Sequence, residues 1–178
     1  MDWLRKFDIA FVGLKEGVHK FQFHVDERFF DNFNESLVKN GEVEVKLLFE
    51  KHPSFFMLNF RFYGTLQLPC DRCGVKLDYP IDNDDSSVVV KFDEHREGDK
   101  DDSNADVIYI SRNDTHLNVG QLIYEFISLS IPVNHVNCDN IEGKKPCDEQ
   151  VLTQLRTARE QKQTVDHRWD DLQKIKFN

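Results

Sequence analysis

No run of apolar residues in the 178-residue chain approaches the roughly 18 that a membrane-spanning helix needs. The apolar stretch from Ile9 to Leu14 is too short for a signal peptide and follows acidic residues, so a cytoplasmic location is expected. Positive charge is in deficit: 23 Lys and Arg stand against 32 Asp and Glu, a net charge of −9 with a pI near 5.2. That balance argues against a protein that coats nucleic acid nonspecifically. The eight glycines are scattered and nowhere spaced as a phosphate-cradling loop requires. None of His19, His24, His52, His95, His116 and His167 has a serine or cysteine nucleophile motif beside it, so no enzyme is expected. Cysteine is sparse as well. Four cysteines in a cytosolic chain read as thiols or metal ligands rather than as a disulfide framework.

What the chain has in quantity is phenylalanine. Fifteen Phe, within a hydrophobic fraction of 39%, call for a core, and a chain of this length can bury one without staples. Val43, Val45, Leu47 and Phe49 alternate with Glu42, Glu44 and Lys46; after His52–Pro53–Ser54, Leu58, Phe60, Phe62, Leu66 and Leu68 alternate with polar residues. Period two over such lengths predicts a half-buried antiparallel strand pair. Val75, Leu77, Tyr79 and Ile81 predict a third strand, with Val88–Val90 and Val107–Ile110 as further ones. Phe7, Ile9 and Phe11 suggest a strand near the N-terminus, and His19 to Val25 another.

Two amphipathic helices are expected. Asp26 is placed to cap a helix reaching Asn40, with Phe29, Phe30, Phe33 and Leu37 on one stripe. Asn118 with Gln121 resembles a capping box opening a helix to Ser130, which must stop before Pro132. A third, mostly polar helix is expected from about Glu149 to Thr164. The resulting fold class is α+β: an antiparallel sheet with two packed helices and a mostly polar C-terminal helical tail. Period alone does not say whether that sheet closes toward a barrel. Residues 1–148 form one domain in this reading and 149–178 the tail.

Residues 93–106 carry Asp93, Glu94, Glu97, Asp99, Asp101, Asp102 and Asp106 against Arg96 and Lys100. They predict a mobile acidic loop between strands, without the glycine and terminal glutamate of a calcium loop. The stretch from 144 onward is mildly basic.

The cysteines carry the most chemistry. In Pro69–Cys70–Asp71–Arg72–Cys73–Gly74, two thiolates separated by two residues on a tight turn can hold one metal from the same side, the geometry of a zinc knuckle. Cys138 and Cys147 can complete a tetrahedral site, with His135 as the alternate ligand. The expected cofactor is a structural zinc ion; the competing reading is four reduced, metal-free cysteines. A thioredoxin-like pair would want its first cysteine at a helix N-terminus, whereas the residues after Cys73 alternate like a strand.

These segments resemble the YceD family, named for large ribosomal RNA subunit accumulation. Cys70–Asp71–Arg72–Cys73–Gly74 resembles its C-x-R-C signature. Leu117–Asn118, Glu125, the apolar run to Ile131, Pro132, His135 and Cys138 follow the family's order. Asp166–His167–Arg168–Trp169–Asp170–Asp171–Leu172 resembles its short C-terminal element. The resemblance spans about residues 40–178. Asn118 replaces the usual Asp, His167 the usual Pro, and Cys147 has no near partner other than Cys138.

The resemblance implies a non-enzymatic factor in the synthesis, processing or stability of large-subunit ribosomal RNA. The expected partner is that RNA or its precursor, or a basic ribosomal protein held by the acidic loop and the polar strand faces, with no membrane and no small-molecule substrate. A net −9 chain must make any RNA contact locally. The candidates are Arg61, Arg72 and Lys76 around the cysteine turn, with Lys144, Lys145, Arg156, Arg159 and Arg168 in the tail; Trp169 is an anchor for the core or for a partner. A merely solvated basic face is the plain alternative. Two rival functions remain: a zinc-stapled adaptor for a protein client unrelated to the ribosome, and a thiol redox protein using Cys70 and Cys73.

Overall fold

The computed structural model describes residues 3–33, 36, 38–92, 107–133, 138 and 146–161. The alternating segments form the sheet. β2 (Gly17–Val25), β3 (Asn40–Lys51), β4 (Phe55–Pro69), β5 (Lys76–Phe92) and β6 (Val107–Ile110) lie side by side in chain order. Val43, Val45, Leu47 and Phe49 on β3 and Phe56, Leu58, Phe60 and Phe62 on β4 are buried, while the residues between them face outward. One apolar face is thereby removed from water, worth roughly 1.5–3 kcal/mol for each large side chain.

The β2–β3, β3–β4 and β4–β5 pairs are antiparallel, as alternation predicts. The β5–β6 pair is parallel, from Val89↔Val107 to Phe92↔Ile110. Alternation reports which face is buried and not strand direction, so this pair was not legible. A parallel pair needs a crossover of about a dozen residues or more, and residues 93–106 supply that length. No pairing between β6 and β2 closes the sheet among the described residues, so it is open rather than a barrel.

β5 joins two segments that the sequence separates. It runs 17 residues through Pro80, which is tolerated because β6 pairs only with Val89–Phe92, so that among the described residues no strand pairs with the flank of β5 at Pro80. Opposite Arg61 the register shifts: Phe60 pairs with Ser86 and Phe62 with Asn83, a bulge in β5. Gly64 permits the close approach of β3, since a Cβ there would run into the Glu42 carbonyl oxygen and come within 2.8 Å of Val43 Cα.

The second layer covers the apolar face. Phe7, Ile9 and Phe11 are buried as expected but are not one strand. Two 3₁₀ turns, Trp3–Phe7 and Phe11–Gly13, flank a two-residue strand β1 (Asp8–Ile9), which pairs with β7 (Leu117–Asn118). Lys51 Nζ donates to the carbonyls of Phe11 and Leu14, both at 2.9 Å, tying this segment to the sheet.

Asp26 caps α1 through its Oδ1, which accepts from Phe29 N at 3.3 Å, but α1 is one turn, Glu27–Phe30. The helix expected to reach Asn40 is therefore corrected. The Asn32 side chain takes the Arg28 carbonyl, in competition with continued helix, and by Asn40 the chain is already paired in β3.

α2 (Gly120–Leu129) packs on the sheet through Phe126, whose ring lies 5.3 Å from that of Phe60 and 6.3 Å from that of Phe62. Its cap differs from a capping box. Asn118 Oδ1 accepts from Gly120 N at 3.0 Å, while Gln121 donates forward to Glu125 Oε1 at 2.7 Å rather than back. α3 (Glu149–Gln161) starts on Asp148, whose Oδ1 accepts from Gln150 N and Val151 N. Among the described residues no helix is long and apolar enough to cross a membrane.

Candidate metal centre and the adjoining arginine cavity

The cysteine turn is the loop of the β4–β5 hairpin. Cys70 N donates to Val75 O and Gly74 N to Cys70 O, both at 2.8 Å, which folds the loop back on itself. Gly74 takes a φ of +74°, a conformation that other residues rarely adopt, and this lets the chain reverse directly after Cys73. Both cysteines point inward and are buried, at 3% and 8% exposure.

Cys138 meets them there, fully buried. Its Sγ lies 3.5 Å from Cys73 Sγ and 3.5 Å from Cys70 Sγ, across 65 and 68 residues of chain. The three sulfurs all lie within 4.8 Å of one another. At zinc–sulfur bonds of about 2.3 Å, a tetrahedron separates neighbouring sulfurs by about 3.8 Å. The observed separations fit that edge and lie far outside the roughly 2.05 Å of a disulfide. Three soft donors converging in this way fit a thiophilic divalent metal.

The sulfurs are electrostatically unlike. Burial raises the Cys70 thiol, but the backbone N–H groups of Cys73 and Arg72, with Cys138, outweigh it and bring the pKa from 9.0 to about 7. Burial pushes the Cys138 thiol up, and its contacts with the sulfurs of Cys147, Cys73 and Cys70 push it further. A lowered Cys70 is what a redox pair would need, and equally what a metal ligand needs. The third buried sulfur, which a redox pair does not require, favours the metal.

Cys147 stands at the rim, half-buried. Its sulfur contacts Cys138 and accepts from Arg72 Nη2 at 3.2 Å. It also lines a cavity of about 340 Å³ with Arg72, Glu149, Leu152, Leu155, Arg156 and Arg159. The spacing 149, 152, 156, 159 sets the α3 contributors along one helical stripe. Three guanidinium groups and a single carboxylate are therefore gathered at the edge of the cysteine cluster.

The structure thus brings Arg72, Arg156 and Arg159 together and separates Arg61 from them. Arg61 lies eight residues up β4 from Pro69, on the order of 25 Å away, with its Nη2 3.4 Å from Asp82 Oδ1. It is not part of the cysteine turn, as the sequence reading had it. Lys76 is exposed at the first position of β5. His135, Lys144, Lys145, Arg168, Trp169 and the acidic loop at 93–106 lie outside the described residues.

Sequence reasoning missed a second cavity, of about 410 Å³, lined by residues that include Lys6, Gln22, Phe23, His24 and Arg28. Only a map of which elements touch could have found it, because its residues come from three segments. Three polar groups in its lining are engaged: Asp26 caps α1, Asn32 donates to the Arg28 carbonyl, and His24 Nδ1 is 2.9 Å from Glu44 Oε1.

A search of curated proteins and one of solved structures find no match to the chain. The model of one family, described as large ribosomal RNA subunit accumulation protein YceD, matches residues 58–176. That span starts within β4 and takes in the cysteine turn, β5, β6, α2, Cys138, Cys147 and α3. With two thirds of its residues matched, including all four cysteines and the three cavity arginines, the chain belongs to the YceD family of large ribosomal RNA subunit accumulation proteins.

Proposed function

We propose that the chain serves the accumulation of large-subunit ribosomal RNA as a non-catalytic factor that contacts RNA at the arginine cavity, with zinc as a structural staple beside it. The role in large ribosomal RNA subunit accumulation comes with family membership. The observation that carries the finer reading is the convergence of Arg72, Arg156 and Arg159 on one cavity in a chain of net charge −9. Guanidinium groups present paired donors that match phosphate oxygens, and a local cluster binds a backbone that the molecule as a whole repels. In this reading Cys70, Cys73, Cys138 and Cys147 hold the metal, and its chemistry is to fix the loop and the start of α3 rather than to activate a substrate.

The test is a tagged pull-down from growing cells with ultraviolet crosslinking, sequencing the RNA. Large-subunit RNA or its precursor is expected well above an untagged control, with the crosslinks falling sharply in an Arg156→Gln/Arg159→Gln variant whose thermal melt is unchanged. RNA at control level beside one dominant protein client would end this reading in favour of the adaptor. A basic ribosomal protein is a second partner reading, favoured by exposed Glu42, Glu44, Asp78 and Asp82 on the outer sheet face. Deleting residues 94–105 without loss of that partner would remove the acidic loop from it.

A further inference from the structure

We infer that metal binding at the cysteine cluster and RNA-phosphate binding at the arginine cavity form one linked equilibrium, joined through Cys147. This rests on reading the cavity as the RNA contact.

The cavity is assembled from two parts that no strand or helix among the described residues holds together. Arg72 belongs to the β4–β5 turn, whereas Glu149, Leu152, Leu155, Arg156 and Arg159 belong to α3. α3 has little of its own to dock with: Val151 and Leu152 are half-buried, and every residue from Thr153 to Glu160 is exposed. So little buried apolar surface cannot by itself fix a thirteen-residue helix against the hairpin.

The point of attachment is Cys147, directly before the Asp148 cap. Its sulfur reaches Cys138 on one side and Arg72 on the other, and it forms part of the cavity wall. A metal held by Cys70, Cys73, Cys138 and Cys147 therefore pins the first turn of α3 and sets Arg156 and Arg159 opposite Arg72. Four thiolates around a divalent cation leave surplus negative charge, which the Arg72 donor to Cys147 partly offsets and which holds Arg72 at the cavity edge. With the metal gone, α3 loses its tether and the three guanidinium groups, which repel one another, separate. A phosphate backbone lying across them reverses that repulsion and so favours the docked, metal-bound arrangement. Linkage then makes the effect mutual: whatever factor zinc adds to RNA affinity, RNA adds to zinc affinity.

The experiment uses the full chain, zinc-loaded or stripped with a chelator, and measures fluorescence anisotropy of a labelled oligouridylate. Stripping is expected to weaken RNA binding by about 10-fold, within the usual 5- to 150-fold range of coupling. Cys147→Ser, which leaves the three buried thiols to hold the metal, is expected to lose a similar factor with zinc present and to change little more on stripping. Saturating RNA should slow zinc transfer to a colorimetric chelator in the wild-type chain and leave it unchanged in Arg156→Gln/Arg159→Gln. Equal RNA affinity with and without zinc would overturn the linkage while leaving RNA binding intact. Absence of RNA binding in both states would overturn the linkage and the underlying RNA reading alike. Should stripping unfold the core, as judged by circular dichroism, the zinc-loaded Cys147→Ser chain decides: full RNA affinity there overturns the inference.

Discussion

Cys138 is the residue on which the cysteine site turns, because its sulfur is the one placed 3.5 Å from both partners of the hairpin. Replacing it with serine buries a hydroxyl among sulfurs and removes the third donor. Cys138→Ser is expected to purify with little zinc and to lose several kcal/mol of stability, of which the poorly satisfied hydroxyl accounts for about 1–3. Elemental analysis and urea unfolding check both. Cys147→Ser should keep most of its metal.

The thiols also set a pH dependence in the metal-stripped chain. The pKa of Cys70 falls from 9.0 unfolded to about 7 folded, so its stabilising contribution is complete above pH 9 and disappears as pH drops through 7. Cys138 is raised, so its contribution is present below its unfolded value and fades at higher pH. The stability gap between wild type and Cys70→Ala, both stripped, should therefore widen between pH 7 and pH 9 in thermal melts. A flat difference would contradict this assignment.

Among the elements, β3 and β4 were the most legible, because twelve and fifteen residues of alternation leave one possible face for the core. α2 and α3 also lie where the sequence places helices, although the α2 cap is not the expected capping box. Three features were hidden for physical reasons. The unity of β5 is hidden because the polar residues between Ile81 and Val88 interrupt the apolar pattern, while β4 pairs with both halves. The parallel direction of β6 leaves no mark on its alternation. The aromatic run after Asp26 reads as a long helix, whereas its rings are spent on contacts such as Phe29 to Phe7 at 5.0 Å and Phe33 stacked on Tyr124 at 3.9 Å.

One substitution tests the tightest strand pair. Gly64→Ala forces a methyl group against the β3 backbone and should destabilise the chain by about 1–3 kcal/mol or more, read from the urea midpoint. Gly74→Ala has open space around it, so its cost should come from the left-handed backbone alone.

For the whole molecule, the sequence picked out the cysteines that meet in one cluster and supplied the arginines without their meeting place. Arg72 and Arg156 are far apart in the chain, and only the position of α3 joins them. A footprint of three arginines on an acidic protein has a measurable signature. The RNA affinity should fall with salt at a logarithmic slope of about −2, since each phosphate contact on a single strand contributes roughly −0.7. A much steeper slope in a salt titration would mean that the basic residues of the tail bind as well.

The long separation within the cysteine cluster also has a kinetic side. Cys73 and Cys138 are 65 residues apart, so during translation the hairpin pair is complete long before its third sulfur has been made. At roughly 5–20 residues per second, that interval lasts about 3 to 13 seconds. For that time two thiols on a nascent chain have neither shelter nor a finished site, open to an oxidant or to the wrong ion. Closure of the cluster must wait for Cys138, which is made only after the whole of α2.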